Sequence, residues 1–96
     1  MNSSELRGLA DSLKQKIGSG IVILGTESGK KVFLVAAITK DLVERVKANE
    51  LIREIAPIIG GGGGGRPDFA QAGGAKSKKL DQALKKSYSI LEKIIK

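Results

Sequence analysis

Six consecutive glycines, Gly60 to Gly65, run directly into Arg66-Pro67-Asp68-Phe69-Ala70-Gln71-Ala72-Gly73-Gly74. Glycine loses more backbone freedom on folding than any other residue, so an ordered run of six is costly, and it enters left-handed conformations without steric penalty. A bare spacer, the usual role of a glycine run, needs no Arg-Pro-Asp-aromatic-Ala-Gln-Ala-Gly-Gly behind it. The ordered continuation favours a loop whose exposed N–H groups meet a ligand or another backbone.

The flanking segments show clean periodicities. Leu6, Leu9, Ala10, Leu13 and Ile17 recur at helical spacing, with Ser3 or Ser4 as N-cap and Gly18 past the end, which predicts a helix over residues 4–17. Ile21-Val22-Ile23-Leu24 is a β-branched run, Gly25 to Gly29 reads as a turn, and Lys31 to Ile38 is a second apolar run. Two buried strands joined by a polar turn make a hairpin. Thr39 can cap a turn through Asp41-Leu42-Val43. Ala48, Leu51, Ile52 and Ile55 form a second helical stripe that Pro57 limits. Phe69 to Gly73 suits a short strand whose small residues admit a close backbone. Leu80, Ala83, Leu84, Ser87, Leu91, Ile94 and Ile95 predict a final helix, with Ser77 as a possible cap and lysines on its other side. The order helix-strand-strand-helix-strand-helix predicts an α/β fold, a small mixed β-sheet covered by amphipathic helices on one or both faces.

Ninety-six residues suit one domain, and 41% apolar residues with 3% aromatics imply an aliphatic core. There is no cysteine and no histidine, which removes disulfides, thiol chemistry, Cys/His metal sites, Ser-His-Asp triads and imidazole bases from this polypeptide. No apolar run approaches the roughly 20 residues of a membrane span. Met1-Asn2-Ser3-Ser4-Glu5 lacks the basic and apolar regions of a signal peptide, so a cytoplasmic location without membrane contact is expected. The net charge is +7, with seven lysines against two acids from Lys76 onward. A basic surface suits a polyanion, although a lysine-rich amphipathic helix is more often a solvated face.

Phosphate motifs come close and fail. Gly60 and Gly65 have P-loop spacing, but Arg66-Pro67 stands where Lys-Ser or Lys-Thr is required. Gly25 to Lys30 has one residue too few between its glycines. A dinucleotide fingerprint follows a strand and opens a helix, whereas this run follows a helix. Asp41 and Glu44 sit one turn apart with no third ligand near. Asp68 is the one acid inside the special stretch. It can accept N–H bonds in the turn after Pro67 or pair with Arg66, which is favoured, or it can orient Arg66 towards a ligand. No catalytic residue, metal or cofactor is expected.

The stretch GGGGGGRPDFAQAGG resembles the signature of the DHHA1-type (C-Ala) domain at the C-terminus of alanyl-tRNA synthetases, in which a glycine-rich loop leads into Arg-x-Asp-x-Ala-Gln and a glycine pair. The likeness extends to the first helix and the Val/Ile-rich strand, to Thr39-Lys40-Asp41-Leu42, to Arg45-Val46-Lys47-Ala48 and to the lysine-rich last helix. Family members usually carry a further strand before that helix. Residues 1–96 are therefore expected to be a single DHHA1-like domain excised from a larger synthetase, without its aminoacylation and editing residues.

The resemblance implies a tRNA-binding appendage. Such a domain docks on the tRNA elbow, helps couple aminoacylation with editing, works beside other synthetase domains and follows a helical segment used for homodimerisation, here absent. The candidate RNA-binding residues are Gly61, Gly62, Gly63, Gly64, Gly65, Arg66 and Gln71, with Lys40, Lys78 and Lys79 as lysines that can supply salt-dependent attraction. DHHA1 domains also occur in phosphoesterases, where the glycine loop carries a histidine and binds substrate phosphate. Arg66-Pro67-Asp68 and the lack of histidine argue against that. An assembly or protein-interaction module of the same fold, or a DNA-binding one, is the other alternative.

Overall fold

A computed structural model describes residues 2–95, apart from the side chains of Ser77 and Ile95, so a cap by Ser77 lies outside the described residues. Helix α1 spans Ser3–Ile17. Its cap is Asn2 rather than Ser3 or Ser4. The Asn2 carboxamide oxygen accepts the Glu5 N–H at 2.8 Å and the Glu5 carboxylate accepts the Asn2 N–H at 3.1 Å. Only with Asn2 as cap does a carboxylate fall three residues on, so both free donors are satisfied reciprocally.

Strands β1 (Ile21–Ser28) and β2 (Lys31–Ile38) pair antiparallel, Ser28 opposite Lys31, leaving Gly29-Lys30 as a two-residue turn with Gly29 at φ 65. The predicted turn at residues 25–29 is thus mostly strand. Thr26, Glu27 and Ser28 lie on an outer strand, where one side of the backbone pairs and polar side chains can stay in water. After β2 the chain turns at Thr39, whose backbone N–H donates to Gly20 and whose hydroxyl accepts the Gly20 N–H at 3.0 Å. Helix α2 spans Ala48–Ile55, and Pro57 leads it into a 3-10 turn, Ala56–Ile59. Gly60 ends that turn in the left-handed region at φ 70, ψ 35, which only glycine enters without strain.

The glycine run expected as a loop is a strand. β3 spans Gly61–Arg66 and pairs antiparallel with β4, Phe69–Gly74, through the two-residue turn Pro67-Asp68. A second 3-10 turn, Ser77–Lys79, leads into helix α3, Leu80–Ile95. The sheet order is β1-β2-β4-β3 and every pairing is antiparallel, so the sheet has four strands and is not mixed.

Successive residues of β2 enter opposite layers, which is why Val32 to Ile38 reads as a continuous apolar run. Val35 and Ala37 join Val22, Leu6 and Ala10 beneath α1. Val32, Leu34, Ala36 and Ile38 join Ala70 and Ala72 beneath α2 and α3, where Leu51, Ile52, Ile55 and Ala83 close the second layer. Leu34, Ile38, Ile52 and Ile55 are fully buried. Truncating any one of them to alanine removes about 2–5 kcal/mol of stability.

The glycines of β3 fall into two classes. A Cβ added at Gly61, Gly63 or Gly65 would run into the backbone of β4, at the carbonyl oxygens of Gly73, Gln71 and Phe69 respectively. A Cβ at Gly62 or Gly64 would meet nothing within 4 Å. Gly61→Ala and Gly63→Ala are therefore expected to lower stability by about 1–3 kcal/mol through overpacking. Gly62→Ala and Gly64→Ala should be neutral, or stabilising by about 0.4–1 kcal/mol through the unfolded chain. Thermal melts of the four variants check this, and equal effects at all four would contradict the alternation.

Candidate nucleic-acid interface

Helix α1 packs chiefly on β1 and β2, with Phe69 of β4 at its border. Most of the same face of β4 and β3 is left open, and a trough runs between the N-terminal half of α1 and the glycine strand. One part, of about 300 Å³, is lined by Gly62, Gly64, Gln71, Gly73, Phe33 and Ser3, among others. The adjoining part, about 370 Å³, is lined by Ser4, Arg7, Gly8, Asp11, Arg66 and Phe69. Because β3 is the outer strand, its backbone is open on one side, and no side chain screens it before Arg66.

The turn that carries Arg66 and Asp68 is tied down. Ala48 N–H donates to the Pro67 carbonyl at 2.7 Å and Ile38 N–H to the Asp68 carbonyl at 2.9 Å. The first bond also satisfies the start of α2, which has no side-chain cap. Asp68 Oδ2 accepts a hydrogen bond from Lys14 Nζ, and Asp68 Oδ1 forms an ion pair with Arg66 Nε, both at 3.3 Å. Asp68 thus takes up the pairing expected with Arg66 and also holds α1. Partial burial works against its ionisation, but the Lys14 hydrogen bond and charge, the Arg66 charge and a backbone hydrogen bond outweigh it. The carboxyl is held below its usual range. Arg66 keeps 76% of its side chain exposed, with four of its five N–H donors outside that contact.

Among the residues expected to bind, Gly61 to Gly65, Arg66 and Gln71 come together on β3 and β4, with Gln71 opposite Gly64. Lys78 and Lys79 are exposed in the turn beyond β4, at the Gly61 end of the glycine strand, where Lys76 N–H donates to Ile59. Lys40 is exposed past the end of β2, at the opposite end of the sheet. The six residues of β4 between them span about 20 Å, so the three lysines do not form one patch. Beside Lys40, Asp41 is held below its usual range by hydrogen bonds from the Ser19 and Thr39 hydroxyls. Arg7 and Lys14 are additions that sequence reasoning missed. Each follows an apolar-stripe residue by one, Leu6 and Leu13, which puts both on the flank of α1 that meets the trough. Among the described residues no three His, Cys, Asp or Glu side chains cluster to hold a metal. No helix among them is long and apolar enough to cross a membrane.

The fold is that of a small α/β sandwich module, with helices on both faces of an antiparallel sheet and, at its glycine edge, a trough lined by Arg7, Asp11 and Arg66. The chain belongs to the DHHA1 domain family, which matches residues 1–93. It is 50% identical to the alanine–tRNA ligase of Pelotomaculum thermopropionicum over 95% of this chain and 10% of that protein. The ligase of Pseudoalteromonas translucida is 56% identical over 85% of this chain and 9% of its own length. The chain thus spans about a tenth of the curated relatives it matches. The crystal structure of the C-Ala domain from Aquifex aeolicus alanyl-tRNA synthetase superposes with a TM-score of 0.85 at 37% identity, over 98% of this chain and 81% of that one. The counterpart of this chain in those ligases is the small C-Ala domain, not the catalytic region.

The Asp68 pairings have a pH signature. A carboxyl with a depressed folded-state pKa contributes stability that is present above its ordinary value of 3.8 and is lost as pH falls through the folded value. The stability gap between wild type and Asp68→Asn is expected to be constant near neutrality and to close as pH falls below 3.8. Denaturant melts from neutral pH down to about 2.5 measure it. A gap independent of pH would remove the ion pairs as its cause.

Proposed function

We propose that this domain binds tRNA along the trough between α1 and β3, docking on the outer elbow and thereby helping a synthetase present one tRNA to both its aminoacylation and its editing modules. As a single DHHA1-like unit of a larger cytoplasmic ligase, it supplies affinity and placement while other domains do the chemistry. The observation that carries this reading is the exposed, side-chain-free β3 strand, which ends in an arginine with an open outer edge. RNA recognition favours surfaces that accept stacked bases, sugars and phosphates at close range. Glycine offers that proximity, and Arg66 can grip phosphate bidentately or stack on a base. Lys78 and Lys79 at the other end of the strand add attraction to the backbone.

An assembly role is the second reading, because an open edge strand can also pair with a strand of another chain. Titration with tRNA, with duplex DNA and with protein alone separates the two. For an elbow-binding domain, affinity should fall steeply with salt, log K declining in proportion to the phosphates neutralised. It should differ little between tRNA species, and cleavage protection should be confined to the elbow. Protection centred on the acceptor stem, or affinity indifferent to salt, would overturn this assignment.

Arg66 provides the sharpest single-residue check. Lysine keeps the charge but loses the planar fork. Arg66→Lys is expected to weaken tRNA binding about tenfold, the worth of one charge-assisted contact, with the melting temperature almost unchanged. A drop of several degrees with affinity intact would make Arg66 a structural partner of Asp68 instead.

A further inference from the structure

We propose that Lys14 is a positioning residue of this site: by occupying one oxygen of Asp68 it leaves the outer edge of the Arg66 guanidinium available over the trough. The proposal rests on the reading of the trough as an RNA site. Asp68 has one negative charge and two oxygens, and two cations divide them, Lys14 Nζ on Oδ2 and Arg66 Nε on Oδ1, each at 3.3 Å. A guanidinium facing a carboxylate with both oxygens free pairs through two parallel N–H···O bonds. With Oδ2 taken, Arg66 approaches the carboxylate at Oδ1 alone, as an ion pair through Nε. Charge follows the same division. Two cations sharing one anion leave a net positive charge, whereas Arg66 and Asp68 alone would be neutral.

Burial separates the partners' roles. The Lys14 side chain is 19% exposed, poorly placed to meet a polymer, while Arg66 is 76% exposed. The post that both hold is itself fixed, since the Pro67 and Asp68 carbonyls are bonded to the start of α2 and the end of β2. Lys14 comes from α1, an element remote in sequence, so the seating of α1 on the sheet sets what Arg66 can offer a ligand.

The test is fluorescence anisotropy of the full chain with unfractionated tRNA, with melting curves alongside. Lys14→Met keeps most of the apolar stem and should weaken binding about tenfold, the factor of one lost charge-assisted contact. Lys14→Arg should bind like wild type. Adding Asp68→Asn to Lys14→Met should restore most of the affinity, because no carboxylate then captures Arg66, and Lys14→Met should cause no further loss in an Arg66→Met background. If Lys14 met phosphate directly, Asp68→Asn would not rescue and the loss would persist beside Arg66→Met. If it only held α1 in place, affinity and melting temperature would fall together without rescue. Either result overturns the proposal. Without RNA, the Arg66 Nη protons should exchange more slowly in Lys14→Met than in wild type, and unchanged exchange counts against it. Wild type that does not bind, or Arg66→Met that binds as wild type does, removes the RNA site itself. Weak Arg66→Met beside a fully active Lys14→Met removes only the role of Lys14.

Discussion

The close approach of two backbones at the outer edge of the sheet is the constraint on which the rest depends. β3 lies so near β4 that no side chain fits at Gly61, Gly63 or Gly65. Where side chains cannot separate two strands, the pair gains little from cross-strand packing and is held by backbone hydrogen bonds and by its ends. Both ends are secured. At one, Gly60 takes a left-handed conformation and Lys76 N–H bonds Ile59; at the other, Pro67 and Asp68 bond α2 and β2. The exposed glycine strand is thus clamped between fixed points, which is how a segment of such high intrinsic entropy can offer a preformed surface.

Charge is distributed less simply than its total suggests. Of the lysines from Lys76 onward, Lys85, Lys86 and Lys93 lie on α3, which covers the face of the sheet opposite the trough and also carries Asp81 and Glu92, whereas Lys76, Lys78 and Lys79 precede that helix. The α3 lysines are thus separated from the trough by the sheet and are partly offset by the two acids of the same helix. They contribute to long-range attraction of a polyanion, and only the lysines of the turn before α3 border the glycine strand. Local contact at the trough therefore falls to Arg66, Arg7 and the open backbone.

The sequence made legible whatever carries a side-chain period. The stripe Ala48, Leu51, Ile52 and Ile55 is α2, the run Lys31 to Ile38 is β2, and Pro57 closes the helix where expected. The fourth strand was illegible because glycine has no side chain to alternate and is depleted in strands. Its pairing is dictated by the small residues of β4, a tertiary fact. Without that strand the sheet direction could not be read either, and a mixed sheet was the natural inference. Gly61 to Arg66 and Gln71 could be named together as a candidate site because they are contiguous in sequence or nearly so. Arg7 and Lys14 were not, since their place depends on how α1 lies across the sheet, and the Arg66–Asp68 pairing alone gave no sign of a third partner.

Structure and surface make different demands on the same run of glycines. Gly60 is required by its left-handed backbone, and Gly61, Gly63 and Gly65 by the nearness of β4. Nothing in the fold requires glycine at Gly62 or Gly64, where a Cβ would stand in open space on the trough side. Strand propensity would favour a β-branched or aromatic residue at two such half-open positions, and any side chain there would also lessen the unfolded entropy that glycine adds. Their bareness runs against local stability, and a conflict of that kind between local preference and fold is expected at functional sites. The effect of the two missing side chains is to keep the floor of the trough bare beside Gln71 and up to Arg66, so that the open backbone itself forms the surface there.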